Sequence, residues 1–335
     1  MTKVTYLLGA GASAEALPLV KSNPVHKIEG LPDAFRRVGD QIVNKNKDPN
    51  LVILASKLKD NLYWLAENSQ IYNTVDTFAK YCYLKDKAKF SLIKKMLSVY
   101  FTIEQTINKK FDNRYLVFLT SILENEYQFP ANIKILNWNY DSQLQLASFK
   151  FKEEGISFDS NSFIQADPLI HYSPSMGMYP LEIAKNKEIY SLVHLNGIAG
   201  YVQSSENMVF NTLYNTKTIN DFLTNAIKQI ENNFNLLTFA WESNNHQRFS
   251  YSLKLSKEII KDSEVLVIIG YSFPFFNREI DKEILNTLTQ TGLKKIYYQD
   301  KFRTGDFLQS QFGLDKTIEI KNVEKSDQLF IPIEL

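Results

Sequence analysis

The sequence predicts an α/β fold, a parallel sheet with helices on both faces and a helical insertion. Three observations carry that expectation. Val4–Leu8 is a short apolar run that passes straight into Gly9-Ala10-Gly11-Ala12-Ser13-Ala14, the order of strand, tight turn and helix start. Further β-like runs follow at Ile133–Leu136, Tyr190–Val193, Glu264–Ile269 and Lys295–Tyr298. Each of these runs ends in an unusual polar motif.

In chain order, Glu15–Leu19 reads as the beginning of the first helix. Residues 20–32 contain Pro24, Gly30 and Pro32 and read as loop. From Asp33 to about Gln128 the pattern is helical. Leu51, Leu54, Leu58, Leu62 and Leu65 recur at spacings of three and four, as do Phe90, Ile93, Met96, Leu97, Tyr100 and Ile103. Residues 33–128 therefore form an expected helical insertion between the first and second strands. Residues 151–188 mix Gly, Pro, Ser and Asp with little periodicity and read as long loops. Glu264–Ile269 is apolar over its last five residues, as a central parallel strand should be. A helix is expected from about Asn277, and Ile318–Ile320 is a candidate edge strand. The whole chain, 1–335, reads as one domain.

Composition narrows the function classes. Of 335 residues, 44% are hydrophobic and 22% charged, ordinary for a globular chain with a sizeable core. Lys plus Arg number 38 against 37 Asp plus Glu, a net charge of +1, so no global field attracts nucleic acid and no direct nucleic-acid partner is expected. The single cysteine, Cys82, excludes an intramolecular disulfide and a four-thiolate zinc site, and no metal is expected. No apolar run of about 18 residues and no basic leader are present, so a cytoplasmic protein with no membrane partner is the expectation.

The polar motifs gain meaning from their place. In an open parallel sheet the strand C-termini share one edge, where ligands bind. Gly9 and Gly11 permit the turn and a close approach of backbone to a pyrophosphate, with Ala10 and Ser13 beside them, as in a Rossmann-like dinucleotide unit; a plain βα turn is the alternative. A hydride-transfer enzyme also needs an acidic residue ending a second strand about 20 residues on, and that region here is loop passing into helix. Asn139 and Asp141 follow the second strand one residue apart, so both side chains can point one way; capping of the next helix is the alternative. Of four histidines, His26, His171, His194 and His246, only His194 directly follows a β-like run and precedes a glycine turn, at Gly197. A lone histidine is more often structural, but its place on the shared edge favours a chemical role. Gly270-Tyr271-Ser272 closes the central strand, where Gly270 allows close approach and Ser272 can donate to a phosphate, or the segment is only a turn. Asp300, at a later strand end, is a candidate for the adenine-side ribose.

In this order the motifs resemble the sirtuin superfamily. Gly9–Ser13 (GAGAS) resembles its glycine motif, Asn139-Tyr140-Asp141 its Asn-x-Asp motif, His194 with Gly197 its histidine motif, and Gly270-Tyr271-Ser272-Phe273 its later Gly-x-Ser segment. The zinc ribbon of the protein-deacylating members needs four cysteines that this chain lacks. Gly30-Leu31-Pro32-Asp33-Ala34-Phe35-Arg36 resembles the family's Gly-x-Pro-Asp-Phe-Arg loop only loosely, with one extra residue. The resemblance is therefore to the zinc-free sirtuin-like NAD hydrolases of bacterial antiphage defence. It implies NAD as substrate and cleavage of the nicotinamide–ribose bond, with Asn139, Asp141 and His194 catalytic. It implies nucleotide binding by Gly9, Ala10, Gly11, Ser13, Gly270 and Ser272. It also implies a homo-oligomer or a partner such as a HerA-like ATPase or a short Argonaute. The chemistry suits these residue types. The leaving nicotinamide is neutral while positive charge develops on the ribose, so a carboxylate, an orienting amide and a base are what the site needs. A zinc-free deacylase or ADP-ribosyltransferase, and a non-catalytic nucleotide-sensing subunit, are the competing readings.

Overall fold

The computed structural model describes residues 1–20, 29–124, 128–151, 170, 172–173, 189–205, 209–213, 216–242 and 247–335. Ten strands are present among them. In chain order they are β1 (Val4–Leu8), β2 (Ile133–Asn137), β3 (Tyr172–Ser173), β4 (Leu192–His194), β5 (Tyr201–Gln203), β6 (Val209–Asn211), β7 (Phe234–Asn235), β8 (Val265–Ile269), β9 (Lys295–Gln299) and β10 (Glu319–Val323). Seven of them form one sheet in the order β10-β9-β8-β1-β2-β4-β3, and every pairing in it is parallel. The fold is thus α/β and Rossmann-like, as the sequence predicts.

β1 and β8 have every residue buried, because each lies between two strands and is covered on both faces. Alternation along β1 shows the two faces directly. Tyr6 and Leu8 pack with α5 (Asn113–Ile122) and α6 (Gln143–Phe151), through Tyr115, Phe118, Leu144 and Ala147. Leu7 faces the other way, with Leu255 and Ile259 of the helix Gln247–Ile259 and Ile280, Ile284 and Leu288 of the helix Arg278–Gln290. From β1 the sheet extends one way through β2 and β4 and the other way through β8. The C-terminal end of β1 is therefore the switch point where loops diverge and leave a crevice.

A third core lies beyond that edge. It is built by α1 (Leu31–Lys45), α2 (Val52–Ile71), α3 (Val75–Lys85) and α4 (Lys87–Thr106). α1 buries Ala34, Phe35, Val38 and Ile42 on one stripe, and α2 buries Leu58, Leu62 and Leu65. Thr74 and Asp86 cap α3 and α4 by accepting from the amides of Thr77 and Lys89. The same core takes in Val202 of β5 together with Phe222, Ile227, Leu237 and Phe239. The helical stretch read from sequence thus divides between two cores: α1–α4 join Ala199, Val202 and apolar residues between Ile219 and Phe239, whereas α5 belongs to a face of the sheet. β5, β6 and β7 form a separate antiparallel sheet, in the order β6-β5-β7, that the sequence reading did not anticipate.

The structure corrects the expected helix at Glu15–Leu19. A single 3-10 turn, Ala10–Ser13, follows Gly9, and Ala16 and Leu17 both donate to the Ser13 carbonyl. Pro18 disfavours helical backbone at Leu17. Among the described residues the first α-helix, α1, starts at Leu31, with Pro32 in its first turn, where the missing N–H costs nothing. The expected loops at 151–188 fall mostly outside the described residues, apart from Phe151 at the end of α6, Ile170 and β3. No helix among the described residues is long and apolar enough to cross a membrane.

Candidate functional site

The two glycine turns interlock. A Cβ on Gly9 would stand 2.6 Å from Cα of Tyr271, and one on Gly11 2.6 Å from Cα of Gly270. Gly270 has φ +59°, and a Cβ there would lie 2.3 Å from Cα of Gly11. Gly9 donates to the Ile269 carbonyl at 3.0 Å, Gly11 to that of Gly270 at 2.9 Å, and Ala12 to that of Gly9 at 2.9 Å. The glycines are needed for backbone-on-backbone packing between the loops after β1 and β8. The amides of Gly9, Gly11 and Ala12 are therefore committed inside the protein, and Ala10 forms the exposed lip of the turn. This corrects the expectation that a helix N-terminus stands here with its amides aimed at a pyrophosphate.

Asn139, Asp141, Ser13 and His194 come together behind that lip, and all four are buried. The Asn137 side chain accepts from the Asn139 amide at 3.0 Å, an Asx turn that bends the chain out of β2. The Asn139 side chain then donates to the Gly9 carbonyl at 2.9 Å and approaches the Ser13 hydroxyl at 3.4 Å. Asp141 accepts from the Gln143 amide at 3.1 Å and from Ser13. Burial pushes its carboxyl up to about 6, against the pull of those two hydrogen bonds. The helix-capping role weighed for this pair is thus present at Asp141, at the start of α6, together with the convergence.

His194 ends β4 with its side chain wholly buried. Burial pushes its imidazole down to about 4, so it is neutral at pH 7. Nδ1 lies 3.3 Å from the Asn139 carbonyl, and Nε2 lies 2.8 Å from the side-chain nitrogen of Gln145. A carbonyl only accepts and an amide nitrogen only donates, so the proton sits on Nδ1 and Nε2 carries the basic lone pair. Ser13, Asn139 and His194 thereby join three strand ends, β1, β2 and β4, in one hydrogen-bonded chain.

The helices behind the site supply side chains that sequence reasoning missed. Arg114 donates to the carbonyls of Gly11 (3.3 Å) and Ala12 (3.1 Å) and pairs with the buried Asp112 carboxylate at 2.6 Å. Asp112 also accepts from the Glu15 amide at 3.3 Å, so the pair clamps both ends of the turn. Gln105 of α4 accepts from the Ser142 amide at 2.8 Å, and Gln143 accepts from the Asp112 amide at 2.8 Å. Ser13 meets the Tyr115 hydroxyl at 3.1 Å. The one available signal was polar residues inside otherwise apolar helices.

Ser272 and Asp300 stand apart from this cluster. Ser272 is exposed, and its carbonyl accepts from Arg303 at 3.3 Å. Asp300 follows β9, two strands from β1, and is used locally to accept from the amides of Phe302 (2.7 Å) and Arg303 (3.0 Å). His26, His171 and His246 fall outside the described residues. Among the described residues no group of His, Cys, Asp or Glu side chains is placed to hold a metal ion.

Comparison with protein-family models and with curated proteins finds no match. The site offers a neutral imidazole with one unprotonated ring nitrogen, a desolvated carboxyl and an orienting amide. Three buried side-chain oxygens in or beside it have no partner: Oγ of Ser142, Oε1 of Gln145 and Oδ1 of Asn196. Buried acceptors of this kind suit a ligand that brings hydroxyl or amide donors.

Proposed function

We propose that the chain binds NAD where β1, β2 and β4 end and hydrolyses its nicotinamide–ribose bond, giving nicotinamide and ADP-ribose. The observation that carries this reading is the chain Ser13–Asn139–His194, which draws the motif residues of three strands into one buried cluster. The unpaired acceptors beside it fit a ribose diol and a carboxamide, which together bring several donors. In this reading Asn139 orients the ribose or the water. The Asp141 carboxylate faces the positive charge that develops on the ribose, and a desolvated carboxylate is strong in that task. Nε2 of His194 takes the proton released as water adds. No metal takes part. Because His194 is fully buried, the segments over it must part for the dinucleotide to reach Nε2.

The cellular role follows from the sirtuin-like resemblance. We place the chain as an antiphage effector that depletes NAD, held in check as a homo-oligomer or by a partner such as a HerA-like ATPase or a short Argonaute. The test is to incubate the full chain with NAD, alone and with an acylated peptide, and to quantify nicotinamide and ADP-ribose. Release of both without peptide is expected. Release that depends on the peptide contradicts hydrolysis and favours acyl or ADP-ribosyl transfer. NAD binding with no release under any condition favours a sensing module.

A further inference from the structure

His194 has one basic lone pair, and the fold already occupies it. The Nδ1 proton goes to the Asn139 carbonyl, and Nε2 accepts from the Gln145 side chain at 2.8 Å. The amide orientation follows from the ring's other partner. If Oε1 of Gln145 faced Nε2, both ring nitrogens would meet acceptors, which a neutral imidazole with one N–H cannot satisfy. Gln145 is itself fully buried near the start of α6, four residues after Asp141, and its Oε1 has no partner.

We propose that Gln145 is a latch on His194: its side-chain amide caps Nε2 and must swing away before that nitrogen can take a proton from substrate. The inference rests on the NAD-cleavage reading, in which Nε2 is the base. Two features suit Gln145 to the role of a cap that moves. A single hydrogen bond holds its head group, so little is lost on release. Its carbonyl oxygen is buried and unsatisfied where it stands, so it gains a partner once it turns toward a substrate hydroxyl or water. A residue serving only to fix the ring is redundant here, because the Asn139 carbonyl already selects the tautomer. Gln145 is thus a positioning residue of an inhibitory kind, holding the base in reserve until the substrate competes for it.

The test uses full-length protein with ¹⁵N-labelled histidine and two variants, Gln145→Met and Gln145→Leu. Both replace the donor with an apolar side chain of similar size. The His194 ring signals are assigned by their disappearance in His194→Ala. The expected spectrum of the wild type is the Nδ1–H tautomer with a hydrogen-bonded Nε2. In either variant the Nε2 resonance moves to that of a free lone pair while Nδ1 stays protonated. With NAD, kcat/KM for nicotinamide release rises about fivefold, the equivalent of one ordinary hydrogen bond removed from the resting site. An Nε2 resonance that does not move in the variants overturns the cap, whatever the activity. A resonance that moves together with a fall in kcat/KM overturns the latch and makes Gln145 an activating residue. If the resonance moves but neither wild type nor variant releases nicotinamide, the NAD reading fails and the cap on His194 stands.

Discussion

Replacing Asp141 by Asn should stabilise the protein at neutral pH while removing its proposed activity. The carboxyl is buried and its folded-state value is raised from 3.8 to about 6, with burial the largest cause and the neighbouring Asp112 adding to it. A group whose value is raised on folding binds its proton more tightly in the folded state. Its contribution is most favourable below about pH 3.8 and is lost as pH rises through 6. Once charged, such a carboxylate costs about 3 kcal/mol relative to a group that stays neutral. Asn keeps an oxygen to accept from the Gln143 amide but never ionises. Urea denaturation of Asp141→Asn and wild type at pH 4 and pH 7.5 should therefore show a small difference at the lower pH and a gain of about 1–3 kcal/mol at the higher. An equal effect at both values, or a loss of stability at pH 7.5, would show that Asp141 is held by its hydrogen bonds rather than strained by burial.

Other substitutions probe the scaffold under the site. Arg114→Met leaves the Asp112 carboxylate buried without its partner and frees the carbonyls of Gly11 and Ala12; a loss of about 3–5 kcal/mol in urea denaturation is expected. Gly270→Ala places a Cβ against Gly11 at positive φ, and loss of at least 2 kcal/mol, or of folding, should follow. Gly39→Ala is the control. It sits in the middle of α1 with its nearest contacts at 3.4 Å, and a gain of about 0.5–1 kcal/mol in the same assay is expected.

Much of the sheet was legible because its strands obey local rules. Val4–Leu8, Ile133–Leu136 and Lys295–Tyr298 are short β-like runs rich in branched and aromatic residues, and each lies within an observed strand. His194 and the Asn139–Asp141 pair were legible for a different reason. A parallel sheet places all its strand ends on one edge, so residues far apart in sequence could be expected together without any contact being known. What escaped was whatever depends on tertiary pairing. β5, β6 and β7 are two or three residues each, too short to show a period. The clamp of Arg114 and Asp112 is invisible in a helical pattern, because its partners are backbone carbonyls about a hundred residues away. The glycines carry a packing constraint that the sequence did not show. Gly9, Gly11 and Gly270 make room for one another's loops, which no reading of one turn alone can reveal.

Nicotinamide release by His194→Ala compared with wild type, with circular dichroism and NAD binding measured on both, tests NAD hydrolysis at this site most directly. His194 is the proposed base, and removal of a general base typically slows turnover by about 10²–10⁴-fold. A fall of that size is expected, with the fold retained and NAD binding reduced far less than turnover. Near wild-type release by a folded His194→Ala protein would rule out His194 as the base.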